Sequence, residues 1–439
     1  MTDRLDAVVV GSGPNGLSAA ITLARAGASV LVIEGHDELG GGMRTTPLTL
    51  PGFQHDVCSA CHPMGVLSPF FRTLDLASHG LRWIAPRASI AHPLDDGPAV
   101  LATISLDETA RGLGVDADAY RALIGPLLDD PHGLLADLLG PLRLPRHPLA
   151  MLRFGLRALR SAEGLARSKF RDERARALFA GCSAHSVLPL NRAMTAAMGL
   201  VFCMTAHVEP WPVAEGGSAS ITRALVSLLK SLGGRVETGR WVRSLADLPA
   251  SRVVLFDTSP AQLVAIAGDA LPPSYVRRLN RYRYGPGVFK LDLALDGPIP
   301  WRDPAVLEAS TVHLGGTLDE IAAGESAIWR GDHAERPFVI VIQQSQIDPT
   351  RAPPGKHTGY AYCHVPPGST RDLTDTIERQ IERCAPGFRD RILARPWPSS
   401  AAANRGVRGG PGDGGAQCFA RRRGRDRRCG RQGPRGVRR

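Results

Sequence analysis

Asp6-Ala7-Val8-Val9-Val10-Gly11-Ser12-Gly13-Pro14-Asn15-Gly16 is the stretch whose reading decides the fold. A Val-rich run breaks on glycine, an apolar helical segment from Leu17 to Ala28 follows, and Ser29 to Ile33 forms a second run that ends on Glu34. Each glycine has a separate use: Gly11 turns tightly out of the strand, Gly13 admits a pyrophosphate to the backbone, and Gly16 lets helix and sheet pack closely. Ser12, Pro14 and Asn15 fill the loop, and the helix start offers unpaired N–H groups to an anion. Glu34 stands where a carboxylate accepts hydrogen bonds from ribose hydroxyls. The frame of two strands and a terminal acid predicts a dinucleotide site over a merely structural glycine turn.

Six positions after Glu34 comes a second cluster, Gly40-Gly41-Gly42, followed by Met43-Arg44-Thr45. A plain nicotinamide fold has no need of it. The segment LGGGMRTTPLTLPGFQHDVCSACHP resembles the bacterial phytoene-desaturase-like branch of the FAD-dependent amine oxidase and desaturase superfamily. That resemblance implies FAD as cofactor, with the second cluster running along its pyrophosphate and ribityl chain. Many relatives carry arginine directly after the double glycine. Here Gly42 has that place, and Arg44 is the expected substitute. The resemblance also implies that Val242 contacts adenine through its main chain. It further implies that Lys290, in YGPGVFKLDLALDGPIPW, is the lysine that holds a water over the flavin; a cation there would stabilise a reduced, anionic flavin. An ordinary strand valine and an exposed strand lysine are the competing readings.

The chain has 439 residues with 43% hydrophobic content, enough for two domains with their own cores. No run approaches the length of a membrane-spanning helix, and the N-terminus passes straight into a core strand. No signal peptide and a reducing, cytoplasmic setting are therefore expected. The eight cysteines are scattered. Cys58-Ser59-Ala60-Cys61-His62 spells a haem-attachment motif, but two buried thiols beside a histidine is the expected reading, and no metal is expected. Arg153, Arg157 and Arg160, interleaved with Met151, Leu152, Phe154, Leu156 and Leu159 on a helix over 149–170, suggest peripheral contact with anionic lipid; a solvated basic face is the alternative.

The predicted organisation is α/β: a discontinuous Rossmann-type FAD-binding domain joined to a mixed α+β substrate domain. Residues 1–85 give the first flavin segment, and 86–204 a mainly helical segment. Residues 205–265 return to the flavin domain through the helix Ser220–Leu232, a strand Arg235–Val242 and the strand Val253–Asp257. Residues 266–395 complete the substrate domain, with strands at Phe289–Leu295, Phe338–Gln343 and Gly359–His364.

From Pro396 the character changes. The last 44 residues hold twelve Arg and two Asp, a net of +10, so the rest of the chain carries only 11 − 10 = +1. An Arg/Gly-rich segment can neutralise nucleic-acid phosphates, but Arg, Gly, Pro and Ala also dominate GC-rich DNA translated out of frame. The expectation is disorder or a shifted frame near residue 396, with nucleic acid not a partner. The expected activity is a flavin-dependent oxidoreductase removing a hydride equivalent from a small, largely apolar, isoprenoid-like substrate, with the electron acceptor undetermined. A flavin amine oxidase is the second reading. A non-catalytic chain lacking its closing flavin segment is the third.

Overall fold

The computed structural model describes residues 4–141 and 143–395. The Arg/Gly-rich segment from Pro396 to Arg439, and the expectation of disorder or a shifted frame, lie outside the described residues.

Two sheets organise the chain. The first has four parallel strands in the order Ser251–Phe256, Leu5–Val10, Val30–Ile33, Arg235–Glu237. Its central strands read as continuous apolar runs because both faces are covered. Ala7, Val9, Val30 and Val32 pack under the helices Pro14–Arg25 and Ala219–Ser231, against Leu17, Ile21, Ile221 and Leu225. The alternate residues Val8, Val10, Leu31 and Ile33 face a smaller cluster completed by Leu5, Val242, Leu248, Val254 and Phe256. The strand alternation thus assigns each side chain to one of two cores.

The second sheet has seven strands in the order Ile392–Ala394, Gly287–Leu295, His357–Val365, Val339–Ile342, Ala309–Leu314, Ala88–His92, Val100–Thr103. All its pairs are antiparallel except Ala309–Leu314 with Ala88–His92. One face buries Phe338, Ile340, Ile342 and Tyr360 against the helical segment, chiefly Glu173–Ala184 and Thr195–Val208. The other buries Leu293, Val312, Val341 and Cys363 under Ile377 and Ile381 of the helix Thr374–Cys384.

Two expectations need correction. The predicted strand Arg235–Val242 stops at Glu237, because Gly239 turns with φ +67° and donates its N–H to the His36 carbonyl. Val242 is therefore a loop residue. The helix over 149–170 is two helices, Pro148–Ala158 and Ala162–Lys169, the second started by Ser161, whose Oγ accepts the Gly164 N–H at 3.1 Å. The mainly helical segment 86–204 opens with the strands Ala88–His92 and Val100–Thr103 before its helices begin. Among the described residues no helix is long and apolar enough to cross a membrane.

Candidate dinucleotide site

The glycine loop is built as tightly as its sequence requires. Gly11 leaves the first strand at φ +102°, and a Cβ there would stand 2.6 Å from the Asp257 carbonyl oxygen. Gly16 crosses directly over the Gly11 carbonyl, leaving no space for a side chain. A Cβ on Gly13 would lie 2.5 Å from Asp257 Oδ2. The helix Pro14–Arg25 then starts with proline in its first turn, and its N-cap residue, Gly13, has no side chain to bond the free N–H groups.

The second glycine cluster packs on the first. Gly41, at φ +56°, sits so that a Cβ would be 3.2 Å from the Gly13 Cα, and Gly40 donates its N–H to Ser12 Oγ at 2.9 Å. Arg44 does not reach the cavity. Its Nε donates to the Gly41 carbonyl at 2.9 Å and holds that turn. Gly42 lines the cavity, and a Cβ there would make only ordinary contact with Cys58.

Glu34 is buried at the end of the second strand. Oε2 accepts from the Ser12 N–H at 3.0 Å and from Ser12 Oγ at 2.6 Å, while Oε1 accepts from the His36 N–H at 3.1 Å. A carboxylate offers about four acceptor positions. Three are used, and one remains on Oε1 for a ligand hydroxyl.

These groups open on a cavity of about 1340 Å³, beyond the roughly 300–1,000 Å³ of an ordinary small-molecule site. Gly11, Ser12, Gly13, Pro14, Asn15, Glu34, Gly41, Gly42 and Val242 line it, whereas Gly16 and Gly40 support it from behind. Volume, glycine cradle and the spare acceptor of Glu34 together fit an adenine dinucleotide. The loop and helix start would hold its pyrophosphate, and Glu34 a ribose. Among the wall residues that sequence reasoning did not assign are Arg240, Trp241, Arg243 and Asp257. Trp241 lies over Gly35, its ring 5.0 Å from that of His36. Asp257 follows the strand that pairs with Leu5–Val10, which puts it level with the glycine turn. Its carboxyl is pushed above the usual range by burial, and further by the charge of Glu34.

Another part of the wall is apolar: Met64, Phe70, Phe71, Trp83 and Ile221. The Cys-x-x-Cys-His segment runs beside it. Contrary to expectation Cys58 is exposed, on the cavity wall, and Cys61 is only partly buried. Burial pushes the Cys61 thiol up to about 11. The His62 ring bonds Ser218 Oγ at 3.1 Å and Ser59 Oγ at 3.2 Å, and burial lowers its pKa to about 4.

Lys290 is neither an exposed strand lysine nor part of this wall. On the strand Gly287–Leu295 its ammonium bridges both oxygens of Asp292, two residues on and therefore on the same face, and stands 4.3 Å from the ring centre of Tyr360. Tyr360 in turn donates its hydroxyl to the Cys58 carbonyl. A chain of contacts through Tyr360 thus links Lys290 to Cys58 on the cavity wall.

Comparison with known proteins agrees with this geometry. Residues 9–74 match the family described as NAD(P)-binding Rossmann-like domain. The mouse pyridine nucleotide-disulfide oxidoreductase domain-containing protein 2 is 26% identical, covering 89% of this chain and 80% of its own. The phytoene dehydrogenase of Streptomyces griseus is 26% identical over 90% of this chain and 80% of its own. Among solved structures, an oxidoreductase from Methanosarcina mazei superposes with TM-score 0.60 at 18% identity, over 89% of this chain and 86% of that one. Putrescine oxidase bound to putrescine gives TM-score 0.54 at 18% identity, over 89% and 84%. Glycine cradle, sheet order and relatives agree: this is an oxidoreductase with a Rossmann-like dinucleotide domain, similar over most of its length to a phytoene dehydrogenase and in fold to amine oxidases.

Proposed function

We propose that this oxidoreductase is a dehydrogenase of the desaturase type, acting on a largely apolar, isoprenoid-like substrate. FAD supplies the hydride-accepting chemistry when bound, and the protein positions the reacting carbon and keeps water away. The observation that carries the reading is the distribution of charge around the cavity. Among the described residues its wall holds two carboxylates, Glu34 and Asp257, both turned onto the glycine loop, where Ser12 and Gly16 donate to them. The wall formed by Met64, Phe70, Phe71 and Trp83 carries no acid to receive an ammonium group. A protonated amine brought there would lose its hydration without a partner, whereas a hydrocarbon gains from the same surface.

A second feature supports a greasy substrate. On the helix Pro148–Ala158, Phe154 and Ala158 point inward, while Leu149, Leu152 and Leu156, with Leu159 at its end, are 71, 57, 65 and 60% exposed. Spacings of three, four and three put these leucines on one outward stripe. Arg153 and Arg160 stand exposed beside it. Such a face suits the interface of an anionic membrane from which an apolar substrate can be drawn.

The test is anaerobic reduction of the bound flavin. A polyene or allylic isoprenoid is expected to bleach the flavin absorbance, and simple alkyl amines to leave it unchanged. Bleaching by amines alone would overturn the reading.

A further inference from the structure

The cradle meant for a pyrophosphate already contains a carboxylate. Asp257 Oδ2 accepts the Gly16 N–H at 2.9 Å, with Gly13 N–H adding a weaker interaction, and the side chain lines the cavity at the start of the helix Pro14–Arg25. Glu34, on the neighbouring strand, faces the same loop through Ser12. A dinucleotide adds a doubly charged pyrophosphate to these two anions. Like charges confined to one site do not all stay ionised.

The two carboxylates are not equivalent. Three donors aim at Glu34: the Ser12 N–H, the Ser12 hydroxyl and the His36 N–H. Asp257 has the Gly16 N–H and the weaker Gly13 contribution. Burial and the charge of Glu34 already favour its neutral form. Nothing titratable faces it from the loop Gly11–Gly16 or from the helix Pro260–Ala267. On its own strand Arg252 pairs with Asp6. The other ionisable groups on the cavity wall are Arg240, which pairs with Glu237, and Arg243, Cys58, His62, Tyr282 and Tyr284.

We propose that Asp257 is a positioning residue that must carry a proton while FAD is bound, so that cofactor binding to this chain takes up one proton. Oδ2 keeps the Gly16 N–H, and the protonated oxygen donates to the pyrophosphate in place of repelling it. The inference rests on the FAD site described above. Its sign is fixed: the ligand raises the pKa of Asp257, so affinity is highest at low pH and falls as pH rises through the pKa of the free protein.

The full-length apoprotein is titrated with FAD by flavin fluorescence from about pH 5 to about pH 8, beside Asp257→Asn. For the wild type, Kd is expected to rise with pH, approaching about tenfold per unit. For Asp257→Asn, a neutral group of the same shape, binding is expected to be at least as tight and flat with pH. Parallel pH profiles for the two proteins overturn the proposal. So does a folded Asp257→Asn that binds no FAD while the wild type does. Calorimetry of wild-type binding in two buffers of different ionisation enthalpy gives the same answer without a variant: uptake near one proton supports the proposal and zero uptake ends it. A wild type that binds no FAD at any pH removes the cofactor reading itself, and this inference with it.

Discussion

Arg351 and Asp56, 295 residues apart, form an ion pair of 2.7 Å in which both side chains are about 1% exposed. Asp56 also accepts from Thr45 Oγ1 at 2.7 Å and from the Ser218 N–H at 2.8 Å. One carboxylate therefore fastens the segment after the second glycine cluster to the turn before the helix Ala219–Ser231 and to the connection between the strands Val339–Ile342 and His357–Val365. Arg351→Met strands that carboxylate in the interior, and breaking a buried pair in this way costs about 3–5 kcal/mol. Urea unfolding should show this as a lower midpoint. Arg351→Met combined with Asp56→Asn should recover part of the loss.

Glu34→Ala removes the acceptor of Ser12 and the spare site for a ribose hydroxyl. Hydrogen bonds to a charged group contribute about 1.5–3 kcal/mol, so FAD affinity should fall roughly 10- to 100-fold. Fluorescence titration reads the change. Glu34→Gln, which keeps one acceptor oxygen, should lie between that variant and the wild type.

Lys290 sits against Asp292 and Tyr360 with its side chain 9% exposed. Lys290→Met should lower unfolding stability by about 3–5 kcal/mol, as expected for a broken buried pair. Because the lysine is not on the cavity wall, the FAD Kd should change by less than about threefold, and oxidation of the reduced flavin should proceed at the wild-type rate. A slowed reoxidation with unchanged stability would instead place its ammonium at the flavin.

The outward leucine stripe gives a test of lipid contact. Leu152→Glu with Leu156→Glu should abolish sedimentation with vesicles containing anionic lipid and leave the unfolding midpoint nearly unchanged, since neither side chain is buried. High salt should weaken, but not remove, the binding of the wild type.

Acid should destabilise the fold through its buried histidines. Burial lowers the pKa of His55, His62, His92 and His207 to about 4, and of His185 to about 3. These rings stay neutral in the fold but charge in the unfolded chain below its ordinary 6.5, so the unfolded state binds more protons and stability falls as pH drops from about 6.5 toward 4. Urea midpoints measured across that interval should decline steadily. A flat profile there would show that the rings reach water.

The first sheet and its glycine turn were legible because every cue is local: valine runs, turn glycines and an acid at a strand end. Val242 was misplaced within a strand because only the turn at Gly239, fixed by a distant carbonyl at His36, ends that strand. For Lys290 the strand was readable, and its partner two positions along the same face could have been read too. Asp257 was hidden for a different reason: its importance comes from the parallel pairing of residues 251–256 with 5–10, and no periodicity within either segment reveals that neighbour.

That pairing also sets an order of events during synthesis. The strand Leu5–Val10 leaves the ribosome first, yet its neighbour Ser251–Phe256 emerges only after some 240 further residues, tens of seconds later at roughly 5–20 residues per second. Until then the strand, paired on one side with Val30–Ile33, keeps its other edge open, and the nucleotide pocket lacks one wall. Flavin loading is consequently a late event, and the waiting edge is where a holding chaperone would be needed most.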